Sequence, residues 1–159
     1  MGYADIAMRE QGGDIVNVAS IIVAKGASVD TIIPDATVER AAQRLRAAHI
    51  GALVVSTDGK HIKGLIAERD IVYGLARHGR ALLEMRVVDI MRRGGPTCSS
   101  TDSVQQVMAQ MTRFRVRHVP VLDHGELRGI VSIGDVVKHR LDETALEVSL
   151  LRDAYLARG

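Results

Sequence analysis

The sequence predicts an α+β protein built from two tandem β-α-β-β-α units that pack with pseudo-two-fold symmetry. The prediction rests on a phrase that occurs twice and on a common order of helix and strand patterns around it. The phrase is GLIAERDIV at residues 64–72 and GIVSIGDVV at residues 129–137. In each copy an aspartate follows the glycine after six positions, with aliphatic residues on both sides. Such self-similarity indicates that one structural unit is used twice.

The repeat extends well beyond this phrase. A shift of 66 positions aligns Thr31 with Thr97, and after residue 61 a shift of 65 positions aligns Asp70 with Asp135. Turns tolerate insertions because they bury little surface and pair few backbone groups. One extra residue in the turn near residue 61 therefore explains the change of shift.

Both units contain five elements in the same order. Apolar residues at helical spacing predict the helices, and short apolar runs bounded by turn residues predict the strands. In the first unit these are an extended piece at 31–33, a helix at 37–49, strands at 52–56 and 62–67, and a helix that begins at Glu68. In the second unit they are an extended piece at 97–99, a helix at 102–115, strands at 118–123 and 127–132, and a helix that begins at Ile133.

These patterns divide the chain into four segments. We expect an N-terminal extension at 1–20, a first repeat at 21–80, a second repeat at 81–142 and an amphipathic C-terminal helix at 143–159. A short helical lead-in at 16–25 or 87–91 precedes each unit. One unit of about 60 residues buries too little surface to be stable on its own, so we expect the two units to share a core. Their packing creates two related clefts.

Composition and charge restrict the class of protein. The chain has 159 residues, 47% of them hydrophobic, and a net charge of +2, which is weak support for a nucleic-acid partner. Cys98 is the sole cysteine, so no intramolecular disulfide or multi-cysteine metal site forms. We see no apolar run long enough for a membrane helix and no signal peptide at the N-terminus. We therefore expect a soluble, cytoplasmic protein.

The residues that carry the repeat resemble a known family. The duplicated unit, the extended threonine before each first helix, RHVPVLD at 117–123 and GIVSIGDV at 129–136 resemble a pair of CBS domains, or Bateman module. The chain looks like the small stand-alone bacterial CBS-pair proteins, which carry no attached enzyme or channel. The resemblance implies binding of adenine nucleotides (AMP, ADP, ATP, NAD or S-adenosylmethionine) in the clefts between the repeats. It also implies that two modules pair into a flat homodimer.

The resemblance further implies that each cleft combines residues of both repeats. The first cleft would contain Thr31, Ile33, the backbone of Ile50, Gly51, Ala52 and Val54, and the side chains of Ser132 and Asp135. The second cleft would contain Thr97, Ser99, Arg117, His118, Pro120, Arg69 and Asp70. Ala67 replaces the serine of the other repeat, so the two clefts are not expected to bind alike.

The aspartates suit a ribose, but they also suit a helix cap. One carboxylate can accept hydrogen bonds from both ribose hydroxyls, and such charge-assisted bonds are strong. Alternatively, Ser132 and Asp135 form a capping box that satisfies backbone N–H groups at the start of the helix. Asp70 is present although Ala67 offers no hydroxyl, which favours the ligand interpretation; an acid in the first turn also suits the helix dipole.

A basic run at Arg113, Arg115 and Arg117 occurs in the second repeat alone. If Arg115 and Arg117 continue in extended form, their side chains point to one side. Three interpretations remain open: a solvated surface, a phosphate-binding wall, or a nucleic-acid contact. With one Phe, three Tyr and no Trp, an aromatic platform for single-stranded nucleic acid is not expected.

The function predicted from these observations is a regulatory adenine-nucleotide-binding module that senses energy or redox state and acts on a separate protein. The phosphates would lie near Arg69, Arg117 and His118. The alternatives are a ligand-free scaffold that binds a partner, or a nucleic-acid binder that uses the arginine run. We expect no enzyme activity, because no nucleophile or acid–base constellation stands out. No metal is expected to be required, since the histidines show no paired metal spacing.

Overall fold

The computed structural model describes residues 17–156 and shows two small sheets with helices around them. The first repeat contains α1 (Val18–Lys25), β1 (Thr31–Ile32), α2 (Val38–Ala48), β2 (Ala52–Val55), β3 (Gly64–Ala67) and α3 (Glu68–His78). A 3-10 helix (Gly79–Glu84) joins it to the second repeat. The second repeat contains α4 (Val87–Ile90), α5 (Val104–Phe114), β4 (His118–Asp123), β5 (Glu126–Ser132) and α6 (Ile133–Leu156). The predicted order of elements and the fold class are confirmed.

Both sheets are built around an antiparallel hairpin. In the first sheet, β2 pairs with β3 on one side and with β1, in parallel, on the other. In the second sheet, β4 pairs with β5, and His118 lies opposite Ser132. The extended piece predicted at 97–99 contributes one parallel bridge, between Cys98 and Val121. The second repeat therefore has the same topology with a shorter first strand.

The first helix of each repeat begins and ends in the same way. Thr37 accepts a hydrogen bond from the Arg40 amide at 3.2 Å, and Ser103 accepts one from the Gln106 amide at 3.1 Å. Side-chain oxygens at this position satisfy N–H groups that the first helical turn leaves unpaired. Both helices end in a left-handed residue: α2 at His49 with φ 53° and α5 at Arg115 with φ 52°.

An apolar layer joins the two repeats. Each repeat has its own buried cluster beneath its sheet, and a third cluster lies between the sheets. In this third cluster, Leu127 and Ile130 of β5 pack against four buried residues of β2 and β3, namely Ala52, Val54, Leu65 and Ala67. Removal of this apolar surface from water is the main favourable term that holds the repeats together.

The two glycines of the repeated phrase leave space for two neighbouring segments of the chain. We call these the lead-in segments and define them as residues 18–25 and 87–92. A Cβ on Gly64 would lie 2.7 Å from the Arg92 carbonyl oxygen, and one on Gly129 would overlap the side chain of Ile22. Arg92 also exchanges two backbone hydrogen bonds with Leu65, of 2.9 and 3.0 Å. Each glycine therefore receives the lead-in segment that precedes the other repeat.

The C-terminal helix expected at 143–159 is the continuation of α6, which runs unbroken from Ile133 to Leu156. The final residues, 157–159, lie outside the described part of the chain, as do residues 1–16 of the expected N-terminal extension. Over residues 17–156, none of the helices has the length and apolar character needed to cross a bilayer.

The close approach at Gly64 predicts the effect of a single methyl group. Gly64→Ala should lower the free energy of unfolding by about 1–3 kcal/mol, since the added carbon meets a backbone carbonyl that cannot move without breaking the bridge. The matched control is Gly134→Ala, because a Cβ there meets nothing closer than 3.6 Å. Urea unfolding of both variants measures the difference; equal stability of Gly64→Ala and wild type would contradict the packing described.

Candidate functional site

Asp135 lies in the first turn of α6 and is fixed by three hydrogen bonds to one of its oxygens. Oδ2 accepts from the Ser132 amide at 2.7 Å, from the Ser132 hydroxyl at 2.7 Å and from Lys25 Nζ at 2.8 Å. Burial opposes ionisation of this carboxyl, but the bonds from Lys25 and Ser132 hold the pKa of Asp135 below its usual value. Within residues 17–156, Oδ1 receives no hydrogen bond, and the side chain is 21% exposed. This oxygen can accept a bond from a ligand.

Asp70, the equivalent residue of the first repeat, is engaged through both oxygens. Oδ2 accepts from the Ala67 amide at 2.8 Å and from Arg92 Nε at 3.2 Å. Oδ1 lies 3.1 Å from the same Arg92 Nε, and the side chain is 11% exposed. Both oxygens of this carboxylate thus contact Arg92, and the side chain is less exposed than that of Asp135.

These two ion pairs have the same layout, and we call them the cross-repeat clasps. Lys25 ends the lead-in segment of the first repeat and bonds to Asp135 in the second. Arg92 ends the lead-in segment of the second repeat and bonds to Asp70 in the first. Sequence reasoning missed both cations. The available signal was a basic residue at the end of each lead-in pattern, since Lys25 is the last residue of 16–25 and Arg92 directly follows 87–91.

The clasps change the interpretation of Asp70. Its presence without a serine partner favoured a ligand role on sequence grounds. The structure gives it two other roles, since it caps the Ala67 amide and pairs with Arg92. The capping interpretation also applies to the second repeat, where the Ser132 hydroxyl accepts from the Asp135 amide at 3.2 Å. The two aspartates therefore share the capping role, and the feature that distinguishes them is Oδ1 of Asp135, which receives no hydrogen bond within residues 17–156.

His118 lies between the two repeats. A Cβ on Gly51 would be 2.9 Å from His118 Cε1, so the imidazole fits because residue 51 is a glycine. Burial, with further contributions from the positive charges of Lys25 and Arg92, lowers the pKa of His118 to about 4. His118 is therefore neutral at pH 7 and can offer a hydrogen bond, but not a positive charge, to a phosphate.

A groove of about 810 Å³ opens beside His118, between α2, α3 and the start of α6. Five of the predicted site residues line it: Ile50, Gly51, Arg117, His118 and Ser132. They come from both predicted clefts. The groove thus brings together residues that the resemblance assigned to separate sites. Asp135 does not line the groove, but Ser132 and Gly134, which lie close to it in the chain, do.

The remaining predicted residues of the first cleft lie in and beside the sheet. Ala52 and Val54 are buried in the apolar layer between the repeats, and their backbones pair with β3. Thr31 is half-buried opposite Val54, and Ile33 is exposed. None of these four lines the groove.

The remaining predicted residues of the second cleft are dispersed. Ser99 bonds to Thr101, Thr97 is exposed, and Pro120 is buried within β4. Arg69 donates to the Arg115 carbonyl oxygen at 3.3 Å, so it reaches the second repeat without entering the groove.

The basic run does not form an extended row. Arg115 has a left-handed backbone and ends α5, so the idea that it continues in extended form to Arg117 is wrong. A left-handed residue after the helix satisfies the last helical carbonyls, which explains the geometry. Arg113 lies over the ring of Phe114 at 5.5 Å. Of the three arginines, Arg117 alone lines the groove.

Two further observations on residues 17–156 concern metal ligands and the single cysteine. No three His, Cys, Asp or Glu side chains in that part of the chain are grouped to hold a metal ion. Burial, with the nearby carboxylates of Asp102 and Asp123, raises the pKa of the Cys98 thiol to about 12. Cys98 is thus a protonated packing residue and not a nucleophile.

Comparisons with known proteins agree with the fold. The family model for the CBS domain matches residues 18–77 and 87–142. The crystal structure of a CBS-domain containing protein from Agrobacterium tumefaciens is 40% identical, with a TM-score of 0.77, over 81% of this chain and 96% of that one. The mitochondrial CBS domain-containing protein CBSX3 of Arabidopsis thaliana is 32% identical over 160 residues, 96% of this chain and 77% of that protein.

A more distant structure carries a ligand. A CBS domain protein from Pyrobaculum aerophilum, complexed with AMP, is 25% identical with a TM-score of 0.67, over 76% of this chain and 89% of that one. The two ranges matched by the family model coincide with the two repeats of the structure. The chain therefore belongs to the CBS-domain family and contains a tandem pair of CBS domains.

Proposed function

We propose that this chain is a regulatory module that binds one adenine nucleotide beside Asp135 and acts on a separate protein partner according to energy or redox state. The observation that carries the proposal is the difference between the two aspartates. Asp135 is ionised, held in place and open at Oδ1, whereas Asp70 is engaged at both oxygens. A pre-oriented carboxylate with one open oxygen is suited to accept hydrogen bonds from a ribose diol.

The neighbours of Asp135 suit the rest of a nucleotide. In the first turn of α6, the amides of Ile133 and Asp135 donate to the Arg117 carbonyl and the Ser132 hydroxyl, so the amide of Gly134 is the one that can favour an anion nearby. Arg117 lines the groove and can form two parallel bonds to a phosphate, and the neutral imidazole of His118 can donate one more. These side chains supply polar partners without a metal ion, so we propose none. Adenine and ribose are common to AMP, ADP, ATP, NAD and S-adenosylmethionine.

The AMP complex of the Pyrobaculum relative supports the choice of an adenine nucleotide. CBS domains are regulatory modules, and we propose that this pair has no catalytic activity of its own. The Asp58–His61 pair, with 2.6 Å between Oδ2 and Nδ1, is not a catalytic pair in this account. The neighbouring Ser56 hydroxyl donates to the His61 carbonyl and not to its ring, so the three residues close a turn.

We also propose that the chain forms a homodimer. Large apolar side chains remain exposed on α3 and α6, among them Val72, Leu75, Val137 and Leu141. Val72 and Ile133 line the same groove, so the exposed surfaces of the two helices are neighbours. Exposed apolar patches of this kind mark sites of protein association.

The first test compares the two aspartates. Asp135→Asn should weaken AMP binding by about 10- to 100-fold, the scale of a lost charged hydrogen bond, while Asp70→Asn should leave it within about 3-fold. Isothermal titration calorimetry with AMP, and with GTP as the control for the base, measures both. Equal losses in the two variants, or no loss in Asp135→Asn, would refute the assignment.

The second test separates nucleotide binding from nucleic-acid binding. Arg117→Ala should weaken AMP binding, because Arg117 lines the groove, and Arg113→Ala should not. If the chain instead binds nucleic acid through the arginine run, both variants should weaken salt-sensitive retention of DNA or RNA. Such retention by the wild-type protein, together with unchanged AMP affinity in Arg117→Ala, would favour the nucleic-acid alternative.

A further inference from the structure

Half of α6 extends beyond the packed part of the protein. The helix has 24 residues and is about 36 Å long. Its first half packs against α5 and β5, with Val136 buried and His139 and Glu143 half-buried. From Thr144 to Leu150, and at Arg152 and Tyr155, the side chains are exposed. A helical segment of this length is marginal in water on its own, so it needs a partner.

Helix α6 carries a largely apolar stripe at alternating spacings of four and three residues. The stripe consists of positions 137, 141, 144, 148, 151 and 155, which are Val, Leu, Thr, Val, Leu and Tyr. Val137, Leu141, Val148 and Tyr155 are 51%, 66%, 55% and 81% exposed. Positions seven residues apart recur on the stripe, at 137, 144 and 151 and at 141, 148 and 155. A seven-residue repeat is the pattern of a two-stranded coiled coil, because it keeps one seam facing a partner helix.

The base of the stripe is open to a partner. Ile133, Val137 and Leu141 line a shallow groove of about 390 Å³ at the start of α6. The groove is continuous with the stripe along the helix, so a second helix that lies on the upper half can also cover the lower half.

The charges beside the stripe distinguish parallel from antiparallel pairing. In a parallel, in-register pair, Glu147 of one helix lies beside Arg152 of the other, since these positions are five residues apart across the seam. In an antiparallel pair centred near the middle of the segment, Glu147 faces its own copy and Lys138 faces Arg152. Opposite charges stabilise the first arrangement, and like charges destabilise the second.

We propose that α6 forms a parallel, in-register coiled coil with α6 of a second copy of this chain. The stripe supplies the seam, and the Glu147–Arg152 pairs fix the direction and register. This inference rests on the proposed homodimer, and it names the element and orientation through which the two copies associate. The CBS family model ends at residue 142, so the contact extends beyond the CBS domains themselves.

Two single-cysteine variants test the arrangement. Leu141→Cys and Tyr155→Cys lie on the stripe 14 residues apart, about 21 Å along the helix. In the parallel pair each new cysteine faces its own copy, so both variants should form a disulfide-linked dimer under mild oxidation. In an antiparallel pair neither can, because a disulfide needs its two Cα atoms within about 7 Å. Cys98 is buried and does not interfere.

The control is Ser149→Cys, which lies outside the stripe and should stay monomeric on a non-reducing gel. Sedimentation of the wild-type protein separates the two levels of the proposal. If the wild-type protein is a dimer but one or both stripe variants fail to form the disulfide, the parallel coiled coil is overturned and the homodimer is not. A wild-type protein that sediments as a monomer at micromolar concentration overturns both. Self-linking at both stripe positions, without linking at position 149, supports the proposal.

Discussion

The reciprocal docking of the two lead-in segments is the constraint on which the rest of the structure depends. Each repeated glycine makes room for the segment that precedes the other repeat, and each repeated aspartate binds the cation at its end. The Lys25–Asp135 pair joins residues 110 positions apart in the chain. The fixed spacing between glycine and aspartate follows from this docking, since one segment must reach both residues. The docking also aligns the sheets on either side of their shared apolar layer.

The two clasps have the same layout but different cations. Arg92 contacts both oxygens of its aspartate, whereas Lys25 contacts one. The guanidinium of Arg92 lies within 3.2 Å of both oxygens of Asp70. The ammonium of Lys25 is a compact charge, and it bonds to one oxygen of Asp135. The Ser132 hydroxyl bonds to that same oxygen, so the second oxygen stays open. One copy of the motif therefore has an aspartate whose two oxygens both contact the cation, and the other has an aspartate with one oxygen that receives no hydrogen bond within residues 17–156.

Periodicity and turn residues were sufficient to predict the elements and their order, because local patterns determine where helices and strands form. The lead-in docking was missed although a basic residue ends each lead-in pattern, because Lys25 and Arg92 are one position out of register in the alignment of the repeats. The sequence also could not predict which of the site residues line the same groove. His118 fits against Gly51 because one histidine and one glycine meet where the repeats cross, and this pairing has no local signal. A common direction for Arg115 and Arg117 required an extended backbone at Arg115, but helix termination gives this residue a left-handed backbone.

The number of nucleotides bound per chain tests the central claim most directly. Two related repeats would offer two clefts of similar kind if the repeated aspartates were equivalent. A calorimetric titration of the purified protein with AMP should give a stoichiometry of one per chain, because the carboxylate of Asp70 is occupied by Arg92 and that of Asp135 is open. Two sites per chain with equal affinity, or no binding at all, would contradict the account.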